Sequence, residues 1–138
     1  ITIPLGVKTI GESAFGDCHS LTSIIIPSSV TTIGDSAFIW CNNLTDVEIL
    51  SNKASIGKDV FQMCSNLKNI TIPKSVTEIE GYAFDGCGKL LKSINYLGTK
   101  RDWMSTPMDS ADSAWRLGSY IVKIICSDGE IKLSALML

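Results

Sequence analysis

Four of the five cysteines are the residues of this chain best placed to do chemistry, because they recur at a fixed interval. Cys18, Cys41, Cys64 and Cys87 follow one another every 23 residues. Such a series could form a metal cluster, a set of disulfides or a column of buried thiols. If successive 23-residue units stack in register, neighbouring thiols lie in a straight row about 4.8 Å apart.

A straight row of thiols favours burial over metal binding or disulfide formation. It cannot surround a tetrahedral zinc ion, and the Cys-x₂-Cys spacing of many zinc sites is missing. The Cα atoms would fall within disulfide range, but neighbouring side chains would point in parallel. We therefore expect buried free thiols that pack as small apolar groups, with the fifth cysteine, Cys126, in the core of a strand.

His19 is the only histidine, and a Ser-His-Asp or Cys-His catalytic site would depend on it. It follows Cys18 at a position that varies between the units, where we expect exposure to solvent. Glycine-rich phosphate loops, the His-Glu-x-x-His motif and paired-carboxylate spacings do not occur in the sequence. The sequence therefore predicts a non-enzymatic protein without cofactor or metal, and an enzyme or metal protein is the less favoured alternative.

Two asparagines match the pattern for N-glycosylation. They are Asn43, in Asn-Leu-Thr, and Asn69, in Asn-Ile-Thr. Both overlap positions of the repeated unit, so a chance match is favoured over glycosylation.

The overall composition is that of a globular chain and excludes two classes of partner. Of 138 residues, 45% are hydrophobic and 19% charged, with a formal net charge of -2. The sequence has no cluster of Lys and Arg, so we expect no nucleic-acid binding. It has no apolar run near the roughly 20 residues that cross a bilayer, so we expect no membrane insertion. Because Ile1 opens within the repeated phrase, we interpret the chain as part of a longer protein.

The cysteines belong to a longer phrase, written ITIPLGVKTIGESAFGDC, IIIPSSVTTIGDSAFIWC and ITIPKSVTEIEGYAFDGC in three of its copies. Other series keep the same step: Val7, Val30 and Val76; Ile10, Ile33, Ile56 and Ile79; Phe15, Phe38, Phe61 and Phe84; Leu21, Leu44, Leu67 and Leu90. The third copy departs most, with Leu50 in place of proline and Lys53 in place of valine. One extra residue follows Leu90 in the fourth. A period of 23 lies in the leucine-rich-repeat range.

Each unit predicts a short path around a shared core. Alternating apolar residues such as Ile24 and Ile26 indicate a strand. Residues 30–33 would return as a second extended segment, and Ala37 and Phe38 would begin one helical turn. Eight residues of one unit are expected to point inward: Ile26, Val30, Ile33, Ala37, Phe38, Cys41, Leu44 and Val47. One unit alone cannot offset the entropy of ordering its backbone, so the units must stack.

These features predict a leucine-rich-repeat solenoid of the α/β repeat class, mostly short parallel strands with short helical turns, and a C-terminal α+β cap. Residues 1–97 would hold about four repeats, the first truncated at its N-terminus. Residues 98–138 would form the cap.

The predicted cap consists of short helices and a β-hairpin. Thr99 with Asp102 resembles a capping box at a helix that Pro107 ends. A second helix would start at Asp109 or Ser110 and run through Trp115 to Gly118. Tyr120 to Cys126 would be a strand, Asp128-Gly129 the turn, and Ile131 to Leu133 the return. Trp103 and Trp115 could form an aromatic ligand platform, but the core of the cap is favoured.

Residues between the inward positions of each strand should face outward and form a candidate protein-binding face. They are Thr2, Ser23, Ile25, Asp46, Glu48, Asn69, Thr71, Ser93 and Asn95. A mildly polar surface of this kind could bind a protein or simply be solvated.

The segment LTSIIIPSSVTTIGDSAFIWC, from Leu21 to Cys41, resembles the BspA-like leucine-rich repeat family, and the resemblance extends from Ile1 to about Thr99. It implies a secreted or cell-surface protein, with adhesion to host or neighbouring-cell proteins as the expected role. A Gly-Thr-x-x-x-Trp segment often follows the last repeat in the family, which favours the cap. The alternative is a passive spacer within a larger surface protein.

Overall fold

The computed structural model describes residues 1–51, 53–106, 121 and 123–133. In these ranges the chain winds into successive coils, and a full coil contains a four-residue strand, a two-residue strand and a series of tight turns. The elements in chain order are β1 (Thr9–Ile10), β2 (Ser23–Ile26), β3 (Thr32–Ile33), β4 (Asp46–Ile49), β5 (Ser55–Ile56), β6 (Asn69–Ile72), β7 (Glu78–Ile79), β8 (Ser93–Tyr96), α1 (Lys100–Ser105), β9 (Lys123–Cys126) and β10 (Gly129–Lys132). This is the predicted leucine-rich-repeat solenoid.

The four-residue strands form one side of the solenoid. Their sheet has the order β10-β9-β8-β6-β4-β2 and is parallel except for the antiparallel β10. In β2, Ile24 and Ile26 are buried while Ser23 and Ile25 are exposed, because successive side chains of a strand point to opposite faces. The period-2 pattern thus sets which residues enter the core.

The two-residue strands form a second parallel sheet with the order β1-β3-β5-β7. Each ends in a buried isoleucine: Ile10, Ile33, Ile56 and Ile79. This sheet confirms the second extended segment predicted for each unit. All eight residues predicted to point inward in the second unit are buried.

The third side of the solenoid, which we call the turn face, consists of residues 11–18, 34–41, 57–64 and 80–87. Where the sequence predicts a helical turn, consecutive β-turns occur, with amide-to-carbonyl bonds such as Ala14 to Gly11 at 3.2 Å. Alternate amides instead reach the next coil, as Phe15 does to the carbonyl of Ala37 at 2.8 Å. Ser36 and Trp40 have φ of 59° and 61°, the left-handed region used by the third residue of type II turns.

One glycine of the repeat is explained by a close approach between coils. A Cβ atom added to Gly34 would stand 2.8 Å from the backbone nitrogen of Glu12 in the preceding coil. Because that neighbour is backbone, it could not move aside without breaking the ladder. A side chain at position 34 would therefore collide with the preceding coil.

Four phenylalanine rings stack through the centre of the solenoid. Ring centroids are 5.1 Å apart for Phe15 and Phe38, 5.5 Å for Phe38 and Phe61, and 5.6 Å for Phe61 and Phe84, with interplanar angles of 2°, 11° and 6°. The last three rings are fully buried, whereas Phe15 at the end of the stack is only half-buried. Each ring therefore covers the next, as the shared-core argument requires.

The cysteines form the predicted row beside this stack. The thiols of Cys41, Cys64 and Cys87 donate to the carbonyl oxygens of Phe15, Phe38 and Phe61 at 3.1, 3.2 and 3.2 Å. These three and Cys126 are buried, Cys18 in the first coil is half-buried, and all five are free thiols. Each thiol thus fills a gap in the core and satisfies a carbonyl of the preceding coil.

Burial changes the acidity of these thiols. It raises the pKa of Cys64, and it raises the pKa of Cys87 from 9.0 to about 12. The thiolate is disfavoured because a charge would be moved out of water. The buried thiols are therefore protonated at neutral pH and poor nucleophiles.

The fourth unit corrects one assignment from the sequence. Leu91, which is fully buried, continues the leucine series, whereas Leu90 is 51% exposed. The extra residue therefore lies between Cys87 and Leu91, and Leu91 rather than Leu90 occupies the leucine position of the repeat. As a result β8 begins 24 residues after β6 instead of 23.

The third unit accommodates its departure from the repeat locally. Lys53 points to solvent with φ of 56°, and the adjacent Ala54 is buried. Ser51 is fully buried; its hydroxyl donates to the carbonyl of Pro27 at 3.4 Å, and its backbone carbonyl accepts from the hydroxyl of Ser75 at 2.9 Å. The third unit thus keeps a buried apolar residue beside the exposed Lys53 and adds polar contacts between coils.

The predicted capping box at the start of α1 is present. The Thr99 hydroxyl accepts from the amide of Asp102 at 3.1 Å, and the Asp102 carboxylate accepts from the amide of Thr99 at 2.9 Å. Trp103 is 3% exposed and meets Tyr96 edge-on, with ring centroids 5.2 Å apart. Trp103 is therefore part of the core rather than an exposed aromatic platform.

The hairpin after the helix differs slightly from its prediction. Its turn residues are Ser127 and Asp128, one position earlier than predicted, and Gly129 with φ of 133° opens the return strand. Because β9 pairs with β8, the hairpin continues the main sheet. The predicted second helix (109–118), Pro107 and Tyr120 lie outside the described residues, and the division into repeats 1–97 and a cap 98–138 stays a prediction.

We expect the phenylalanine stack to dominate stability. Phe61→Ala removes a fully buried ring with neighbours on both sides, and should lower the free energy of unfolding by about 3–5 kcal/mol in urea titrations. Phe15→Ala is the control, because its ring is half-buried and stacks on one side only, so its cost should be clearly smaller. Equal losses for the two variants would contradict a stack whose energy depends on burial between coils.

We also expect stability to fall in alkali. The folded state holds the Cys87 proton more tightly than the unfolded state, so this contribution is intact below pH 9 and declines as the pH rises from 9 towards about 12. Cys87→Ala should flatten the pH dependence of the unfolding free energy in that window by about 1.4 kcal/mol per pH unit. Val76→Ala, a buried change without a titrating group, should lower stability without changing this slope. An unchanged slope in Cys87→Ala would refute the assignment.

Candidate protein-binding face

The outward side of the six-stranded sheet, which we call the sheet face, holds most of the predicted binding residues. Eight of the nine lie on its strands: Ser23 and Ile25 on β2, Asp46 and Glu48 on β4, Asn69 and Thr71 on β6, Ser93 and Asn95 on β8. Strand register aligns them in rows, with Ile25 beside Glu48, Glu48 beside Thr71, and Thr71 beside Asn95. Thr2 is exposed but precedes the first strand, so it is not part of the ladder.

The sheet face extends further than the sequence analysis predicts. Lys123 pairs with Ser93 and Ile125 pairs with Asn95, so both rows continue onto β9. The signal was present, because Lys-Ile-Ile-Cys in β9 alternates inward and outward residues as Ser-Ile-Ile-Ile does in β2. Lys123 also forms an ion pair with Glu130 of β10 at 3.3 Å.

A fixed negative charge occupies the β4 row. The hydroxyl of Thr45 donates to Asp46 at 2.7 Å, and the side-chain amide of Asn69 donates to its other carboxylate oxygen at 2.8 Å. These hydrogen bonds favour the ionised form and hold the pKa of Asp46 below its usual value. Glu48 lies two residues further along the same strand and is also exposed.

Apolar side chains stand at both ends of the sheet face. Ile25 is 56% exposed and Leu50 is 45% exposed near one end; Leu97 and Ile125 are 57% and 39% exposed near the other. Leu97 and Ile125 border a shallow depression together with Thr71. The surface therefore combines apolar patches with polar groups between them, a composition compatible with a protein interface.

The other candidate residues form no catalytic arrangement among the described residues. His19 is exposed and hydrogen-bonds the side chain of Asn42. The two asparagines of the glycosylation pattern use their side-chain amides between coils, Asn43 to the carbonyl of His19 at 2.5 Å and Asn69 to Asp46. Within the described ranges no three His, Cys, Asp or Glu residues come close enough to hold a metal ion. In that same part of the chain, no helix is long and apolar enough to cross a bilayer.

Two leucine-rich repeat proteins of known structure are similar to this chain. A leucine rich cell surface protein from Faecalibacterium prausnitzii is 33% identical with a TM-score of 0.52, over 80% of this chain and 35% of that one. A leucine rich repeat protein from T. pallidum is 30% identical with a TM-score of 0.47, over 69% and 56% of the two chains. The chain thus spans less than two thirds of the length of either protein. No curated protein matches it.

The repeats also match a family model. The model for a BspA type leucine rich repeat region matches residues 1–103 in six copies. These copies outnumber the 23-residue coils, so they do not correspond one to one with them. The matched range includes the stacked phenylalanines, the thiol row and the strands β1 to β8, which agrees with the resemblance carried by residues 21–41. The chain belongs to the BspA-type leucine-rich repeat family.

Proposed function

We propose that this chain is a non-enzymatic protein-interaction module of a secreted or cell-surface protein, and that it adheres to proteins of host or neighbouring cells through the sheet face. The observation that carries the proposal is the in-register set of outward residues on β2, β4, β6, β8 and β9, which are exposed or half-buried. The similar protein from Faecalibacterium prausnitzii is a cell surface protein, which supports the proposed location.

The geometry of the sheet face suits a macromolecular partner better than a small ligand. Its depressions are shallow and open, without the enclosing walls that small-molecule sites use. Exposed Ile25 and Leu97 offer apolar contacts at opposite ends, and Asp46 offers a charge whose position is fixed by two hydrogen bonds. A partner that spans several coils would use both kinds of contact.

A steric block at the centre of the sheet face tests this function. Thr71→Arg places a long side chain on the middle strand, and we expect it to weaken binding by about tenfold or more, since a misfitting group at an interface centre excludes close contact. Binding would be measured by surface plasmon resonance against a panel of purified extracellular-matrix and cell-surface proteins.

The matched control is Thr32→Arg, which makes the same change on the outward side of the four-stranded sheet. It adds the same charge to a strand residue on another side of the solenoid, so it should leave affinity unchanged. Equal weakening by both variants would contradict the assignment of the face. Failure of the unmodified chain to retain any purified protein would favour the passive spacer.

A further inference from the structure

The turn face carries an exposed tryptophan that a sheet-face partner would not reach. Trp40 is 45% exposed and precedes Cys41, at the position where other coils have Asp17, Met63 and Gly86. Its left-handed backbone does not single it out, because Asp17, Met63 and Gly86 share a positive φ. Its distinguishing property is a large aromatic surface in contact with water. Tryptophan is among the residues that contribute most to protein interfaces.

Half-buried apolar side chains extend this surface across the coils. Ile39 lies over Gly16 of the preceding coil: a Cβ atom added to Gly16 would stand 3.4 Å from the Cγ2 atom of Ile39. Met63 lies over Gly86 of the following coil, where an added Cβ would stand 2.2 Å from its sulfur. We call Ile39, Trp40 and Met63 the Trp40 patch.

The turn face around this patch is acidic. Its four segments hold six carboxylates against one lysine, Lys58: Glu12, Asp17, Asp35, Asp59, Glu80 and Asp85. The remainder of the chain holds eight acidic and eleven basic residues, so the negative charge of the molecule is concentrated here.

The carboxylates are close enough to influence one another. Burial, followed by the negative charges of Asp35 and Asp85, raises the pKa of Asp59. Mutual repulsion of this kind is relieved by an external cation. Carboxylates on the same side of the solenoid as an exposed aromatic surface therefore favour a positively charged partner over an acidic one.

Cationic side chains fit both the apolar Trp40 patch and the carboxylates around it. A guanidinium or ammonium group is attracted to the face of an indole ring, and an adjacent carboxylate such as Asp17 adds to that attraction. The aliphatic stem of an arginine or lysine can also pack on Ile39 and Met63. We propose that the Trp40 patch and its surrounding carboxylates bind a basic polypeptide segment of a partner protein, as a second surface separate from the sheet face.

A fluorescein-labelled peptide of alternating arginine and glycine, titrated with the full chain and followed by fluorescence anisotropy, tests the proposal. Binding should weaken as salt is added, because the attraction is between exposed charges. Trp40→Gly, which suits the backbone φ of 61°, should weaken binding by about threefold or more. Asp17→Asn should weaken peptide binding by about twofold. Asparagine, like aspartate, tolerates the positive φ of this position.

The matched control is Asp46→Asn, which makes the same change of charge on the sheet face and should leave peptide affinity unchanged. Equal weakening by Asp46→Asn and Asp17→Asn would show attraction to net charge alone and overturn the proposal. If Trp40→Gly proves unstable in urea titrations, peptide affinity is measured instead for the double variant Asp17→Asn with Asp35→Asn. Asparagine at 35 can still accept the 2.9 Å hydrogen bond from the amide of Lys58, and unchanged affinity in this variant would refute the site.

Two further outcomes separate this surface from other possibilities. Thr71→Arg on the sheet face should leave peptide affinity unchanged. The two surfaces are therefore tested separately, and a sheet face that binds no protein would not change the outcome of the peptide titration. Light scattering would detect self-association through the patch. A dimer that Trp40→Gly abolishes, without binding of the peptide, would assign the patch to a second copy of the chain and overturn the basic partner.

Discussion

The contact between one coil and the next is the constraint on which the whole molecule depends. The advance of 23 residues brings Phe38 under Phe61, places each thiol on a carbonyl of the preceding coil, and aligns both parallel sheets. These contacts share one register, so a shift of one residue would misalign all of them together. The fourth coil shows how the register survives an extra residue: Leu90 points to solvent while Leu91 keeps the buried leucine series.

The fold was predictable where a residue type reports directly on burial. Isoleucines at alternate positions, and phenylalanine and cysteine at the fixed step, have few alternatives to the core once the units stack. The turn face was not predictable in the same way. Ser36 and Trp40 adopt positive φ, and alternate amides bond to the following coil. Such long-range hydrogen bonds leave no local signal, so Ala37 and Phe38 resembled the start of a helix.

The candidate site was predictable to the extent that it follows strand alternation. Eight of nine outward residues lie on the sheet face because period-2 patterns transfer directly into a parallel sheet. Lys123 and Ile125 were missed because the last strands were assigned to a separate cap, although β9 pairs with β8. The acidity of the turn face was missed for another reason. Each unit contributes only one or two carboxylates, and their concentration becomes visible only when the coils bring Asp35 and Asp85 close enough to Asp59 to act on its carboxylate.

The alternation within each strand has a consequence for how this protein could diversify. In β4, Val47 and Ile49 are buried while Asp46 and Glu48 are exposed to solvent. Core packing therefore constrains the first pair of positions but not the second. Changes at the outer positions cost less folding free energy than changes at the buried ones, and each strand supplies two of them. In a molecule built in this way, the buried positions preserve the fold while the outward residues can differ from one protein to the next, and with them the partner that is recognised.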